Sequence, residues 1–175
     1  HHVYGQTEAG PVLTALPPNR MVEEGPLAGK IKSAGVAIPG VEIKIVDEDD
    51  NEVPRGTVGE ICGQGENVML GYWNLPELTA ETLRNGWLHT GDGGRMDEDG
   101  FVYVVDRVKD MIISGGENVY SAEVENAIYQ HDAVVECAVI GIPHEKWGEQ
   151  VHAIVRLANG KMLDEAAVIA HCHEW

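Results

Sequence analysis

Apolar and polar residues alternate strictly along Val41-Glu42-Ile43-Lys44-Ile45, a period of two that predicts a half-buried strand. The acidic run Asp47-Glu48-Asp49-Asp50-Asn51-Glu52 follows as a solvated turn, and Val58-Gly59-Glu60-Ile61-Cys62 returns as a second strand. A calcium-loop reading of that run fails on spacing. Counted from Asp47, the Gly position holds Glu52 and the closing Glu position holds Val58. Thr79 to Leu83 suggests a short helix before Gly86. Asp97-Glu98-Asp99-Gly100 reads as a turn into an aromatic and β-branched strand from Phe101 to Val105.

The pattern changes after Asp106. Met111-Ile112-Ile113 is a short apolar run ending at Ser114-Gly115-Gly116. Ser121 to His131 then places Val124, Ala127, Ile128 and His131 at helical spacing. Val134 to Ile142 reads as a strand stopped by Pro143, and Val151 to Leu157 as a strand with apolar odd positions. Asp164 is a candidate N-cap for a last helix, with Val168, Ile169 and Cys172 on one face. The fold class expected is α+β: a mainly β part over residues 1–106, then a small α+β part with βαββα order over residues 107–175. The junction lies at Asp106 to Lys109 without a flexible linker. No repeat or low-complexity tract interrupts the chain.

Composition narrows the partners. Of 175 residues, 43% are hydrophobic and 23% charged, which is globular rather than disordered. The net charge of -17 argues against a duplex nucleic-acid binder, yet a local Arg, Lys or metal can still hold one nucleotide. No apolar run has transmembrane length, and no basic segment leads into a secretory signal. Cys62, Cys137 and Cys172 are too few and too scattered for a disulfide framework, so a cytoplasmic setting is expected. Both ends read as cut: His1-His2 runs straight into the first motif, and the last helix stops at Trp175 with no cap.

Three segments carry candidate chemistry. In Tyr4-Gly5-Gln6-Thr7-Glu8 the tyrosine offers a flat face to a purine, and Gly5 permits close backbone approach. Thr7 can donate to a phosphate oxygen, and Glu8 is a hard oxygen ligand suited to Mg²⁺. A strand and turn would use the same residues. Asp92, after Gly91, can accept from both hydroxyls of a ribose, or simply sit in a turn before Gly93-Gly94. Arg107 has forked donors for ribose or phosphate, or for a salt bridge with Asp106, Asp110 or Glu117. Gly115 and Gly116 equally suit a ligand channel and a plain turn between strand and helix. His171-Cys172-His173 is set aside as a zinc site, because residues two apart do not face each other on a helix. Gly63-Gln64-Gly65 lacks the third glycine of a dinucleotide fingerprint.

Taken in order, Tyr4 to Glu8, Gly86-Trp87-Leu88-His89-Thr90-Gly91-Asp92, and Asp106 to Glu125 resemble three successive motifs of the adenylate-forming acyl-CoA ligase family. Gly71-Tyr72-Trp73-Asn74 and His144-Glu145-Lys146-Trp147-Gly148-Glu149 resemble it too, so the likeness covers essentially the whole chain. Fatty-acyl and aryl-CoA ligases are the branch it most resembles. The resemblance implies that residues 1–106 are the end of the large AMP-binding domain and residues 107–175 most of the small carboxy-terminal domain. It implies that Tyr4 stacks on adenine, Thr7 contacts phosphate, Glu8 binds Mg²⁺, and Asp92 and Arg107 hold the ribose. Lys109 falls at the family's hinge, and Gly115 and Gly116 at its pantetheine channel.

The implied cofactors are ATP or AMP, Mg²⁺ and CoA, and the implied substrate is a small-molecule carboxylate. The family's phosphate loop and its catalytic lysine are expected outside this stretch, in the missing remainder of the protein. The chain by itself is therefore expected to be inactive. Two other readings stay open: a module that loads a carrier protein instead of CoA, and a non-catalytic piece that binds AMP. Homo-oligomerisation is left open as well.

Overall fold

The computed structural model describes residues 2–21, 24–25 and 28–174. The sequence readings placed on His1 and Trp175 lie outside them. The chain divides into two compact units, His1–Val105 and Asp106–Trp175. Among the described residues, sheets and three α-helices make it α+β.

In the first unit, β1 (His2–Tyr4), β2 (Thr14–Leu16) and β3 (Val36–Ala37) form a small antiparallel sheet in that order. A second sheet contains β4 (Val41–Val46), β5 (Val58–Gly65), β6 (Leu83–Arg84), β7 (Trp87–Met96) and β8 (Val102–Arg107), the last two residues of which begin the second unit. Its order is β4-β5-β7-β6, and β8 also pairs with β7. The alternating Val41 segment and its return strand pair as expected, from Val41 with Gly65 to Val46 with Glu60. Asp47 organises the turn beyond them: its Oδ1 accepts from the backbone N–H groups of Asp49 and Asn51, each at 2.9 Å. The short helix α1 (Pro76–Thr82) starts earlier than the Thr79 expected, because Pro76 suits the first helical turn.

Two buried clusters support these sheets. Ala9, Leu13, Val41 and Leu88 form one, and Ile45, Ile61, Met96 and Val102 the other. Tyr4 and Ile43 pack against both.

The second unit has the sheet order β10-β9-β12-β11, from β9 (Ile112–Ser114), β10 (Glu117–Val119), β11 (Val134–His144) and β12 (Gly148–Leu157). The helices are α2 (Ser121–Tyr129) and α3 (Glu165–Cys172). Ile112, Ile128 and Val139 form its buried centre, joined by Val151, Ala153 and Val155 from the alternating strand.

Three expectations need correction. Gly115-Gly116 joins two strands rather than a strand and a helix, so the order is ββαββα. Pro143 does not stop β11, which runs on to His144 opposite Gly148. As an edge strand, β11 tolerates a residue without an N–H. Ile169 is 51% exposed, while Val168 and Cys172 alone of the three apolar positions named face the core. The Asp164 cap is present and accepts from Ala167 N–H at 2.8 Å. Among the described residues, no helix is long and apolar enough to cross a membrane.

Candidate functional site

Tyr4 and Asp92, 88 residues apart, meet in the first unit: the Tyr4 hydroxyl donates to Asp92 Oδ2 at 2.8 Å. Asp92 does not sit in a plain turn, as its glycine neighbours allowed. It lies within the ten-residue strand β7. Between the pairs Cys62–His89 and Glu60–Gly93, β7 spends more residues than β5, and the surplus bulges at Gly91, where φ is 73°. A bulge re-aims the side chain beside it, and here that side chain is Asp92. Neighbouring side chains satisfy the disturbed backbone. Glu60 Oε1 accepts from Gly91 N–H at 3.0 Å, and Thr90 Oγ1 accepts from Asp92 N–H at 3.1 Å while donating to Ile61 C=O at 2.7 Å. Burial, reinforced by the Asp92 charge, raises the Tyr4 pKa well above the ordinary phenol value, so its hydroxyl remains a donor at neutral pH.

The next residues form a tight loop with a 3₁₀ turn at Thr7–Ala9. Gly5 serves this loop itself. An added Cβ would run into Pro11 C=O and lie 2.8 Å from Val12 Cα, because Leu13 N–H folds back to Tyr4 C=O at 2.9 Å. Thr7 is exposed on the turn, and Glu8 is half-buried. Residues 67–72 clasp the loop from outside. Asn67 donates to the carbonyls of Ala9 and Val12 at 2.6 and 2.9 Å, and Met69 N–H to Glu8 C=O at 2.8 Å.

Tyr72 contributes most to the site, donating its hydroxyl to Glu8 Oε1 at 2.7 Å. That carboxylate raises the Tyr72 pKa, with a smaller push from burial. In the sequence, Tyr72 belongs to the Gly71-Tyr72-Trp73-Asn74 motif and has no role of its own. Its spacing from Glu8 carries no signal until the loop is folded.

The remaining site residues belong to the second unit. Arg107 is exposed at the end of β8, its N–H donating to Asp106 Oδ1 at 2.8 Å. Asp106 Oδ2 accepts from the Ser121 hydroxyl at 2.7 Å and Ala122 N–H at 3.1 Å, capping α2 from across the sequence. Burial works against its charge. The donors Ser121, Ala122 and Arg107 outweigh that and hold its pKa below the usual carboxylate range.

Lys109 is exposed in a 3₁₀ turn at Val108–Asp110, beside a groove lined by Asp106, Ser121, Glu125, Gly141 and Glu149. Gly115 and Gly116, with φ of 63° and 87°, form the two-residue turn from β9 to β10. Gly115 N–H donates to Trp147 C=O at 2.9 Å, and a shallow pocket opens there among Ser114, Glu117, His144, Trp147 and Gln150.

Residues 1–73 match the AMP-binding enzyme family, and residues 123–174 match the AMP-binding enzyme C-terminal domain. A fatty acid–[acyl-carrier-protein] ligase, ScoC, of Streptomyces coeruleorubidus is 48% identical over 91% of this chain and 30% of its own length. A feruloyl-CoA synthase of an Amycolatopsis species is 47% identical over 95% of this chain and 33% of its own. Among solved structures, o-succinylbenzoate CoA synthetase (MenE) of Bacillus subtilis, in complex with an acyl-adenylate intermediate, superposes with a TM-score of 0.85. It is 39% identical, over 99% of this chain and 34% of that one. The chain thus spans about a third of the length of the curated relatives it matches. With matches to both domains and this structural likeness, the chain belongs to the AMP-binding enzyme family.

Proposed function

We propose that the chain is part of an ATP-dependent acid–thiol ligase that forms an acyl-adenylate and passes the acyl group to CoA. The hydrogen bond from Tyr4 to Asp92 carries this reading. It anchors a carboxylate on a purpose-built bulge beside an aromatic ring, in the same unit as the Thr7–Glu8 loop. Asp92 would accept from a ribose hydroxyl, Tyr4 would offer its ring to the base, and Thr7 would donate to a phosphate.

Glu8 fits a hard divalent cation: Tyr72 holds Oε1, and among the described residues nothing donates to Oε2. Mg²⁺ held there by Glu8 would neutralise phosphate charge. Arg107 would contribute a fixed positive charge toward nucleotide oxygens, and Lys109 would be the hinge between the two units, which here correspond to parts of the large and small domains. Gly115 and Gly116, beside the Trp147 pocket, would border the pantetheine arm of CoA.

In the reaction, a carboxylate oxygen attacks the α-phosphorus of ATP and pyrophosphate leaves. The thiol then attacks the acyl carbon and AMP leaves. A fatty or aryl acid is the proposed substrate, and the cytoplasm, where the three free cysteines stay reduced, the proposed setting. A carrier-protein thiol is the second reading for the acceptor, favoured by the likeness to ScoC.

The full-length protein provides the test. Acid-dependent release of AMP and pyrophosphate, with thioester formed only when CoA is added, is the expected result. Asp92→Ala should raise the KM for ATP at least tenfold, about 1.4 kcal/mol. Thioester formation on holo-carrier protein alone would move the assignment to the second reading. AMP binding with no pyrophosphate release under any acid would leave only a nucleotide binder.

A further inference from the structure

Beneath the bulge that presents Asp92 lies a group of side chains that the ligase chemistry does not use. Glu60 and Cys62 on β5 and His89 on β7 bring a carboxylate oxygen, a thiol sulfur and an imidazole nitrogen within 4.8 Å of one another. Cys62 is fully buried and His89 nearly so. Cys62 and His89 are direct cross-strand partners, so the sheet itself fixes their approach, with sulfur 3.4 Å from Nδ1.

As it stands, the group is frustrated. Nδ1 lies 2.8 Å from Glu60 Oε2 and 2.7 Å from Arg84 Nη2. A neutral ring nitrogen carries either one proton or one lone pair, so it can satisfy the carboxylate or the guanidinium but not both. The Arg84 side chain is under-satisfied as well: among the described residues, nothing accepts from its buried Nε.

We propose that Glu60, Cys62 and His89 are three ligands of a thiolate-seeking divalent cation of the zinc class. A tetrahedral Zn²⁺ takes sulfur at about 2.3 Å and nitrogen or oxygen at about 2.0–2.1 Å, which sets ligand atoms roughly 3.3–3.6 Å apart. The sulfur–nitrogen separation already matches, and the nitrogen–oxygen pair needs to open by about half an ångström.

The ion would accept a lone pair from each of the three groups, which removes the conflict at Nδ1. Arg84 would withdraw to Asp50, whose Oδ1 it already meets at 3.0 Å. On the far side of the ring, Nε2 faces Asp50 Oδ1 at 3.8 Å, a carboxylate placed to favour the tautomer that leaves Nδ1 free. Charge also balances: two carboxylates and a thiolate offset the ion and Arg84, and the thiol proton is released to solvent on binding. The site would tie β5 to β7 directly under Gly91. It stands independently of the ligase reading.

The isolated chain provides the test, with Co²⁺ and Zn²⁺ alone as probes. Co²⁺ should bind one to one with tetrahedral visible bands and a near-ultraviolet thiolate charge-transfer band, both lost when Zn²⁺ is added. Cys62→Ser should abolish the charge-transfer band, whereas a double Cys137→Ser, Cys172→Ser variant should keep it. Asp50→Asn should weaken Zn²⁺ about tenfold. X-ray absorption at the zinc edge of the wild-type chain, which needs no variant, should count one sulfur in the shell. An all-nitrogen-and-oxygen shell, a band that survives Cys62→Ser, or a band that follows Cys172 would overturn the proposal.

Discussion

Tyr4 donates its hydroxyl to Asp92 Oδ2 at 2.8 Å, joining the end of β1 to the bulge in β7. Removing that donor with Tyr4→Phe should cost the chain about 1.5 kcal/mol, the scale of a hydrogen bond to a charged group. The Tyr4 pKa is raised in the folded state, so its contribution is complete below the phenol's unfolded value of about 10 and is lost as pH climbs beyond it. Wild type should therefore lose stability in alkali more steeply than Tyr4→Phe. Urea midpoints across pH 8 to 11 check both points.

Tyr72 orients Glu8 through a bond to Oε1. With Tyr72→Phe, the carboxylate keeps its charge but loses its fixed direction. In the full-length protein the Mg²⁺ concentration for half-maximal rate should rise about five- to tenfold, near 1 kcal/mol, with kcat at saturating Mg²⁺ little changed. The thermal midpoint of the chain should barely move, since Tyr72 is only half-buried. A fall in stability with an unaltered Mg²⁺ profile would make Tyr72 a brace for the loop only.

Asp106 caps α2 from outside the helix's own sequence neighbourhood. Asp106→Ala should destabilise the second unit by about 1–2 kcal/mol, and Asp106→Asn by less, because an amide oxygen can still accept. The folded-state pKa of Asp106 is depressed, so its contribution holds above the unfolded value near 4 and disappears as pH falls through the folded one. Hydrogen exchange at the Ala122 amide, measured from pH 6 down to pH 3, reads this cap directly.

Two glycines separate steric from conformational need. At Gly5 an added methyl meets backbone on several sides, and Gly5→Ala should cost about 3 kcal/mol or prevent folding of the first unit. At Gly116 the space is open and only the φ of 87° is costly, so Gly116→Ala should lose about 1–2 kcal/mol. Denaturant midpoints for the two variants should rank in that order.

The sequence by itself determined the elements whose signal is local. The alternation from Val41 to Ile45 gave a strand and Asp164 gave a helix start, because backbone preference and side-chain period act over a few residues. The three motifs, taken in order, led to the family by resemblance. Where Pro143 misled, the missing information was which strand lies at the sheet edge.

Tertiary structure alone decided the partnerships across long loops. Tyr4 meets Asp92 over 88 residues and Tyr72 meets Glu8 over 64, while the crowding of Glu60 and Arg84 around His89 exists only once β5, β6 and β7 are side by side. A hydrogen bond depends on position to within a few tenths of an ångström, and nothing in chain spacing sets that distance until register and the Gly91 bulge are in place.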